Sequence, residues 1–406
     1  MEKSLSTIAG TIKVSLFVHD LSKNPIGRAD TFIRVLTKIG YYVEIIGFTI
    51  NKKKIWEPYA EVYNYKTIHI KDNLGSLLKN VRPLARQATG DLIFSFKPIA
   101  TSFLPALLAS RGGISKPLLL DIEDDEYGVD ASFLKRIPRI LAKDLGLCVN
   151  PMTNSIMNTF VNRCAGITVV SKKLHRFYGG KIVLTTPDMD VYNPDRNDLN
   201  KYECRRKWNL PISRTVVLFV GSPAAHKGLI YLSESIRSLS EDIVLVLVGK
   251  DQGGLFAQTE QGLRQKCIRI DAVNRLKTPE LLSASDMVVL PQVKGSFAEA
   301  QVPAKLMDAM AMRKTVITTD VSDMKDILGY YARDKRGWVV QSHEPKYLAE
   351  TIKFAINNPD EAARRGTRAR QYLLKNHSDE KVGAMLAAMF NRSRKRGRKP
   401  LQKELH

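Results

Sequence analysis

Residues 220–229 read Val-Gly-Ser-Pro-Ala-Ala-His-Lys-Gly-Leu, and residues 302–312 read Val-Pro-Ala-Lys-Leu-Met-Asp-Ala-Met-Ala-Met. Each sets a turn former and a lysine at the start of a helix-like apolar pattern. Gly221 lets the chain turn tightly or approach a ligand closely, and Lys227 supplies a mobile positive charge. A helix start adds unpaired N–H groups and a positive dipole end, which suit an anion such as a diphosphate. Pro303 fits a first turn, with Leu306, Met307, Met310 and Ala311 recurring behind it at three-to-four spacing. Asp308, one turn further in, is poorly suited to phosphate but can accept hydrogen bonds from a ribose diol. Either stretch alone is equally an ordinary strand-to-helix turn.

A third cluster, Asp121-Ile-Glu-Asp-Asp-Glu126, follows the apolar run 118–120. That is the end of a parallel strand where ligands bind, and alternation sends neighbouring carboxylates to different faces. Three readings stay open: a hard-cation site, a set in which Glu123 or Asp124 holds sugar hydroxyls or takes a proton from an acceptor, and a solvated loop capping the next helix. The seven histidines show no His-x3-His spacing. His226 adjoins Lys227 and can reach a phosphate, while the others, His19 among them, default to packing or surface roles. Neither a Walker A loop nor a Gly-x-Ser-x-Gly elbow occurs.

The elements that must position these residues alternate along the chain. Short apolar, β-branched runs at 12–18, 42–48, 67–70, 92–96, 118–122, 167–170 and 182–185 are separated by helix-length stretches. A second series starts afresh at 215–220 and continues at 243–248, 268–270, 287–290, 316–319 and 338–340. Such alternation predicts an α/β chain of two Rossmann-like, doubly wound parallel-sheet domains, facing a cleft. The turn-rich stretch 187–195 carries two prolines and places the boundary near residue 196. The expected division is 1–196, 197–391 with a last helix able to pack back on the first domain, and a basic disordered tail, 392–406, holding seven basic residues against one acidic one.

With 406 residues, 44% of them hydrophobic, the chain is long enough for two packed cores. Cys148, Cys164, Cys204 and Cys267 lack the spacing of a zinc site and the density of a secreted disulfide scaffold, so a cytoplasmic setting fits best. The first ten residues lack a signal-peptide pattern, and no apolar run is long enough to span a bilayer. The formal net charge of +22 draws anionic partners: phosphorylated small molecules, an acidic membrane surface or nucleic acid. Two stretches, 77–86 and 133–143, mix apolar and cationic residues in a way compatible with peripheral membrane contact, and equally with core-facing helices. Nucleic acid is the weakest of the three, because the basic residues are not interleaved with aromatics in a recognisable module.

The order and separation of 220–229 and 302–312 resemble the two donor-binding elements of retaining family 4 glycosyltransferases, which have the GT-B fold. Leu247-Val-Gly-Lys250 and Ala284-Ser-Asp-Met-Val-Val-Leu-Pro291 extend the likeness, which is thinner in the first half at Gly27-Arg28 and Ser171-Lys-Lys-Leu174. The resemblance implies a nucleoside diphosphate sugar donor of UDP or GDP type, no metal or cofactor, and a glycan or lipid-linked acceptor. It places Gly221, Ser222 and Lys227 at the diphosphate, Val273 and Asn274 at the base, and Asp308 at the ribose. Glu299, Ala300, Val302, Pro303 and Lys305 fall near the phosphates and sugar. Gly27, Arg28 and Asp125 fall to the acceptor, with Lys227, Glu123 and Asp124 as the catalytic candidates. Three departures stand out: Ser222 replaces an arginine, Ala300 replaces the first carboxylate of the E-x7-E pair with Glu299 one place off, and Asp308 replaces the second. A nucleotide-sugar epimerase or hydrolase, and a non-catalytic partner subunit of the same fold, are the competing expectations.

Overall fold

A computed structural model describes residues 12–23, 26–112, 115–125, 147–251, 253–341 and 344–397. Glu126, the stretch 133–143 and residues 398–406 lie outside them. The chain divides into two compact units, the first comprising 1–170, 174–183 and 379–406, the second 171–173 and 184–378.

The first unit is a seven-stranded sheet in the order β3-β2-β1-β4-β5-β6-β7. Its strands are β1 (Lys13–Asp20), β2 (Tyr42–Ile50), β3 (Tyr65–Ile70), β4 (Leu92–Phe96), β5 (Leu118–Ile122), β6 (Gly166–Val169) and β7 (Lys181–Ile182). The second is a six-stranded sheet, β10-β9-β8-β11-β12-β13. It is built from β8 (Thr215–Val220), β9 (Ile243–Val248), β10 (Cys267–Ile270), β11 (Met287–Leu290), β12 (Thr315–Thr319) and β13 (Trp338–Val340). Each expected strand has its counterpart, and the pairings are parallel in both sheets. The central strands are apolar on both faces because helices cover both; β4 (LIFSF) and β9 (IVLVLV) are buried throughout. In each sheet the strand order reverses once, between β1 and β4 and between β8 and β11. Loops leaving the carboxyl ends of those strands diverge and open a crevice where open α/β sheets bind ligands.

In the first unit, α1 (Ile26–Lys38) follows β1, α2 (Leu74–Ala85) follows β3, and α3 (Phe103–Arg111) follows β4, with α4 (Pro151–Asn158) and α5 (Lys172–Tyr178) further on. Phe32 of α1 sets its edge against Phe94 and Phe96, at 5.3 and 5.1 Å between ring centroids. The second unit's helices are α6 (Lys201–Lys207), α7 (Leu229–Arg237), α8 (Leu255–Leu263), α9 (Thr278–Ala284), α10 (Ser296–Ala300), α11 (Ala304–Ala311), α12 (Met324–Ile327), α13 (Pro345–Asn357) and α14 (Pro359–Asn376). The final helix, α15 (Asp379–Gly397), returns to the first unit.

Two boundaries differ from those expected. The turn-rich stretch 187–195 belongs to the second unit, not to a linker ending at 196. Tyr192 is buried, its carbonyl accepts from the Arg370 guanidinium at 2.7 Å, and Arg313 grips Asp195 at 2.6 and 2.7 Å. The supposed tail also starts too early, since α15 carries residues 392–397 as helix. Asp379 takes Arg34 at 3.0 Å and Lys38 at 2.7 Å, while Phe390 stacks on Tyr41 and meets Phe94 edge-on. Burial persists to Ser393, so packing on α1 propagates the helix past its last large apolar residue. Among the described residues, no helix is long and apolar enough to cross a membrane.

Candidate functional site

The loop leaving β8 is fixed by three glycines. Gly221 has φ +132°, and a Cβ added to Gly249, at φ +147°, would lie 2.7 Å from the Gly221 carbonyl oxygen. The loops after β8 and β9 therefore touch backbone to backbone. Gly228, at φ +66°, would drive a Cβ to 1.8 Å from the Pro291 carbonyl oxygen, so the same loop is pressed onto the exit of β11. The Val293 N–H donates to the His226 carbonyl at 2.8 Å, sealing this contact. So held, Lys227 donates from Nζ to the Ser222 carbonyl at 2.6 Å. Burial lowers its pKa, and the charge of Lys305 lowers it further. Two lysines from distant stretches of sequence thus come close enough to repel.

Lys305 stands in the first turn of α11, behind Pro303 in extended conformation (φ −61°, ψ 128°). Its Nζ pairs with Asp308 at 2.9 Å, so this carboxylate, nearly buried, rests on a lysine one turn back. Glu299 accepts from the Ser322 N–H at 2.9 Å and stabilises the turn after β12, where Ser322 adopts φ +54°. Ala300 and Val302 are buried, and the Ala300 carbonyl accepts from the Ser171 hydroxyl at 2.7 Å. Asn274 is exposed and uses its side-chain oxygen to accept from the Leu276 N–H at 3.0 Å; Val273 beside it is partly buried.

In the first unit the acidic cluster sits at the carboxyl end of β5. Asp121 is fully buried and takes both prongs of Arg28, at 2.9 and 3.0 Å, together with the Thr168 hydroxyl at 2.6 Å. Lys97, just past β4, contacts Asp124 at 2.5 Å and Glu123 at 3.4 Å. Burial pushes Glu123 up to about 7. The charge of Lys97 opposes that rise, Asp124 adds to it, Arg28 opposes it and Asp121 adds to it. His19, at the end of β1, bonds through Nδ1 to the Thr101 hydroxyl. Burial and then the Lys97 charge hold its imidazole neutral, with a pKa of about 3, while Asp20 opposes the shift.

Residues 200–372 match the family described as Glycosyl transferases group 1. Over 156 residues it is 32% identical to the putative teichuronic acid biosynthesis glycosyltransferase TuaC of Bacillus subtilis, a match spanning 38% of this chain and 36% of that protein. It is 22% identical to the alpha-D-kanosaminyltransferase of Streptomyces kanamyceticus over 72% of this chain and 74% of the relative. The structure of Anabaena Alr3699/HepE in complex with UDP and glucose superposes with a TM-score of 0.71 at 15% identity, covering 94% of this chain and 100% of the other, a likeness of fold. The two parallel-sheet α/β domains are of GT-B type.

The matched stretch contains every expected donor residue, but not all in one place. Gly221, Ser222, Lys227, Lys305 and Asp308 form one connected set beside the β8–β11 crevice. Glu299 is directed to the turn after β12, and Ala300 and Val302 contribute from the packed interior. In the first unit the Arg28 guanidinium is buried and holds Asp121 at the end of β5. Gly27 lies in the first turn of α1 and is partly buried, while Asp125 is buried. Sequence reasoning left out Lys97 and left His19 as packing. Both follow apolar strands, yet only the strand order shows that β1 and β4 flank the reversal point.

Proposed function

We propose that this chain is a retaining glycosyltransferase. Its second unit takes a nucleoside diphosphate sugar of UDP or GDP type, and its first unit takes the hydroxyl of a glycan or lipid-linked acceptor. The observation that carries the reading is the glycine-locked β8 loop, which holds Lys227 on the Ser222 carbonyl where it feels the charge of Lys305 in the first turn of α11. Two ammonium groups that feel each other's charge in a partly desolvated place favour a multiply charged anion such as a diphosphate. The same charges stabilise the diphosphate as it departs, which is the largest electrostatic demand of glycosyl transfer. A phosphate on Lys305 would release Asp308 from its ion pair, and the freed carboxylate can then accept the ribose hydroxyls. Resemblance to a protein whose structure holds UDP and glucose favours a UDP-type donor, and the name of the Bacillus relative favours a polysaccharide acceptor.

Peripheral membrane contact rests on α2. It buries Leu77, Val81, Leu84 and Ala85, and exposes Leu78 with Lys79 and Arg82, Arg86 following at its end. An exposed leucine among cations suits an anionic bilayer surface; co-sedimentation with phosphatidylglycerol vesicles at low salt tests this, and a protein left in the supernatant refutes it.

Thermal stabilisation by UDP, GDP, ADP and their sugars tests the donor site. A nucleotide at a hundredfold excess over its dissociation constant adds about 2.7 kcal/mol to the wild type. Lys227→Ala should lose most of that, and a variant stabilised as fully as wild type would sink the proposal. The second reading, a non-catalytic partner subunit, draws on the buried Ala300 and on Glu299 tied to Ser322. Absence of a shift with every nucleotide would favour it.

A further inference from the structure

The backbone of Lys97 is strained. It has φ +65° without being glycine, at the first residue past β4, where the first sheet reverses its order. Left-handed geometry at such a residue costs about 1 kcal/mol or more and persists where the surroundings over-determine it. Here they do: its N–H donates to the Asp121 carbonyl at 2.9 Å, and its own carbonyl accepts from the Ser102 hydroxyl at 3.1 Å. The strain brings the ammonium onto Asp124 and within 3.4 Å of Glu123, with His19 near enough to feel its charge. Two strand ends, β4 and β5, thus present an ammonium and two carboxylates together, and His19 stands at the end of the neighbouring β1.

We propose that Lys97 is the positioning residue of the acceptor side, held in a strained turn so that its ammonium fixes Glu123 to accept the proton of an acceptor hydroxyl. This rests on the glycosyltransferase reading above. In the step, the hydroxyl proton passes to the Glu123 carboxylate and the oxygen forms its bond to the anomeric carbon. The anomeric carbon–oxygen bond to the diphosphate breaks, its electron pair leaving with the nucleoside diphosphate. Glu123 then returns the proton to water. Among the described residues, the charged and titratable groups acting on Glu123 are Lys97, Asp124, Arg28 and Asp121, and Lys97 contributes the leading attraction for its ionised form. Removing that cation while leaving the rest should make Glu123 harder to ionise.

Lys97→Gly separates this role from a structural one, because glycine adopts the left-handed turn without strain and the fold survives. Carbon-13 NMR of protein labelled at the glutamate carboxyls, with Glu123→Gln identifying the resonance, follows Glu123 directly. The wild-type midpoint is expected at about 7, and Lys97→Gly should raise it by about one pH unit. A midpoint in the ordinary carboxylate range, or one unmoved by Lys97→Gly, overturns the proposal. Hydrolysis of UDP-glucose, with water as the acceptor, provides the second readout: its rate should climb through the same midpoint, shift with it in Lys97→Gly, and lose that limb in Glu123→Gln. Rates that ignore the midpoint overturn the proton-accepting role. A wild type that UDP-glucose does not stabilise counts against the donor reading instead, and the NMR titration still decides the link between Lys97 and Glu123.

Discussion

Glu44→Gln should weaken the first unit by about 3 kcal/mol at pH 7, and the loss should shrink in acid. Glu44 is 5% exposed, in β2 at the end of the sheet away from the crevice. Burial alone would raise its pKa. Lys66 at 2.6 Å, the Ser15 hydroxyl, the Thr89 N–H at 2.6 Å and Lys13 at 3.2 Å together pull it down to about 2 from 4.5. A tenfold change in proton affinity corresponds to about 1.4 kcal/mol, which gives about 3 kcal/mol for this carboxylate. The folded value lies below the unfolded one. The contribution is therefore complete above about 4.5 and disappears as pH falls through about 2. Glutamine keeps an acceptor for the backbone N–H groups but turns an amide toward two lysines. Hydrogen exchange of peptides from β1, β2 and β4 reads the opening of this unit alone, and a loss of about 3 kcal/mol appears there as roughly two orders of magnitude faster exchange. At pH 3 the gap should narrow to about half or less. A gap of equal size at both pH values would show that shape, not charge, makes Glu44 matter, and would refute the argument.

Gly228→Ala puts a methyl 1.8 Å from the Pro291 carbonyl oxygen at a left-handed φ. It should displace the β8 loop, abolish stabilisation by any nucleotide that protects the wild type, and lower stability by more than the roughly 1–2 kcal/mol that left-handed backbone costs, as read by thermal shift. Arg28→Ala leaves Asp121 charged and buried; a loss of about 3–5 kcal/mol in urea unfolding is expected, because removing one partner strands the other. Arg313 occupies the left-handed position after α11 at φ +53°. Arg313→Gly should be neutral or stabilising by up to about 1 kcal/mol, since the strain it removes outweighs an ion pair to an exposed aspartate. A clearly lower melting temperature would contradict that ranking.

Strand positions were legible because parallel strands covered on both faces must be apolar throughout, and runs such as 243–248 and 118–122 leave little choice. Boundaries were less so. Proline and aspartate in 187–195 advertise a linker, but Arg370 and Arg313, which bind that stretch, lie far away in the sequence. The end of α15 is hidden for a related reason: 391–400 offers no large apolar residue, and the helix is propagated by Phe390 and Asp379 packing against α1.

The β8 loop and the start of α11 were readable, since a turn former, a lysine and a helix start adjoin one another along the chain. The first unit's set was not, because its members come from three strands and one of them, Lys97, adopts a glycine-like turn that its residue type does not announce. The strand order brings out a contrast that local sequence conceals. Both sheets place a lysine in a loop beside their reversal point. Around Lys227 the structure adds a second lysine, itself paired with Asp308, and the amino end of a helix, so the balance stays positive and an anion is favoured. Around Lys97 it adds two carboxylates, which outweigh its charge and leave a polar place better matched to an uncharged hydroxyl than to an anion. The proposed division, diphosphate in the second unit and acceptor in the first, rests on this one topology with two charge balances. Reversing the balance at one site, with Glu123→Lys, should create affinity for inorganic phosphate in the first unit if this charge argument holds, and calorimetry showing none would count against it.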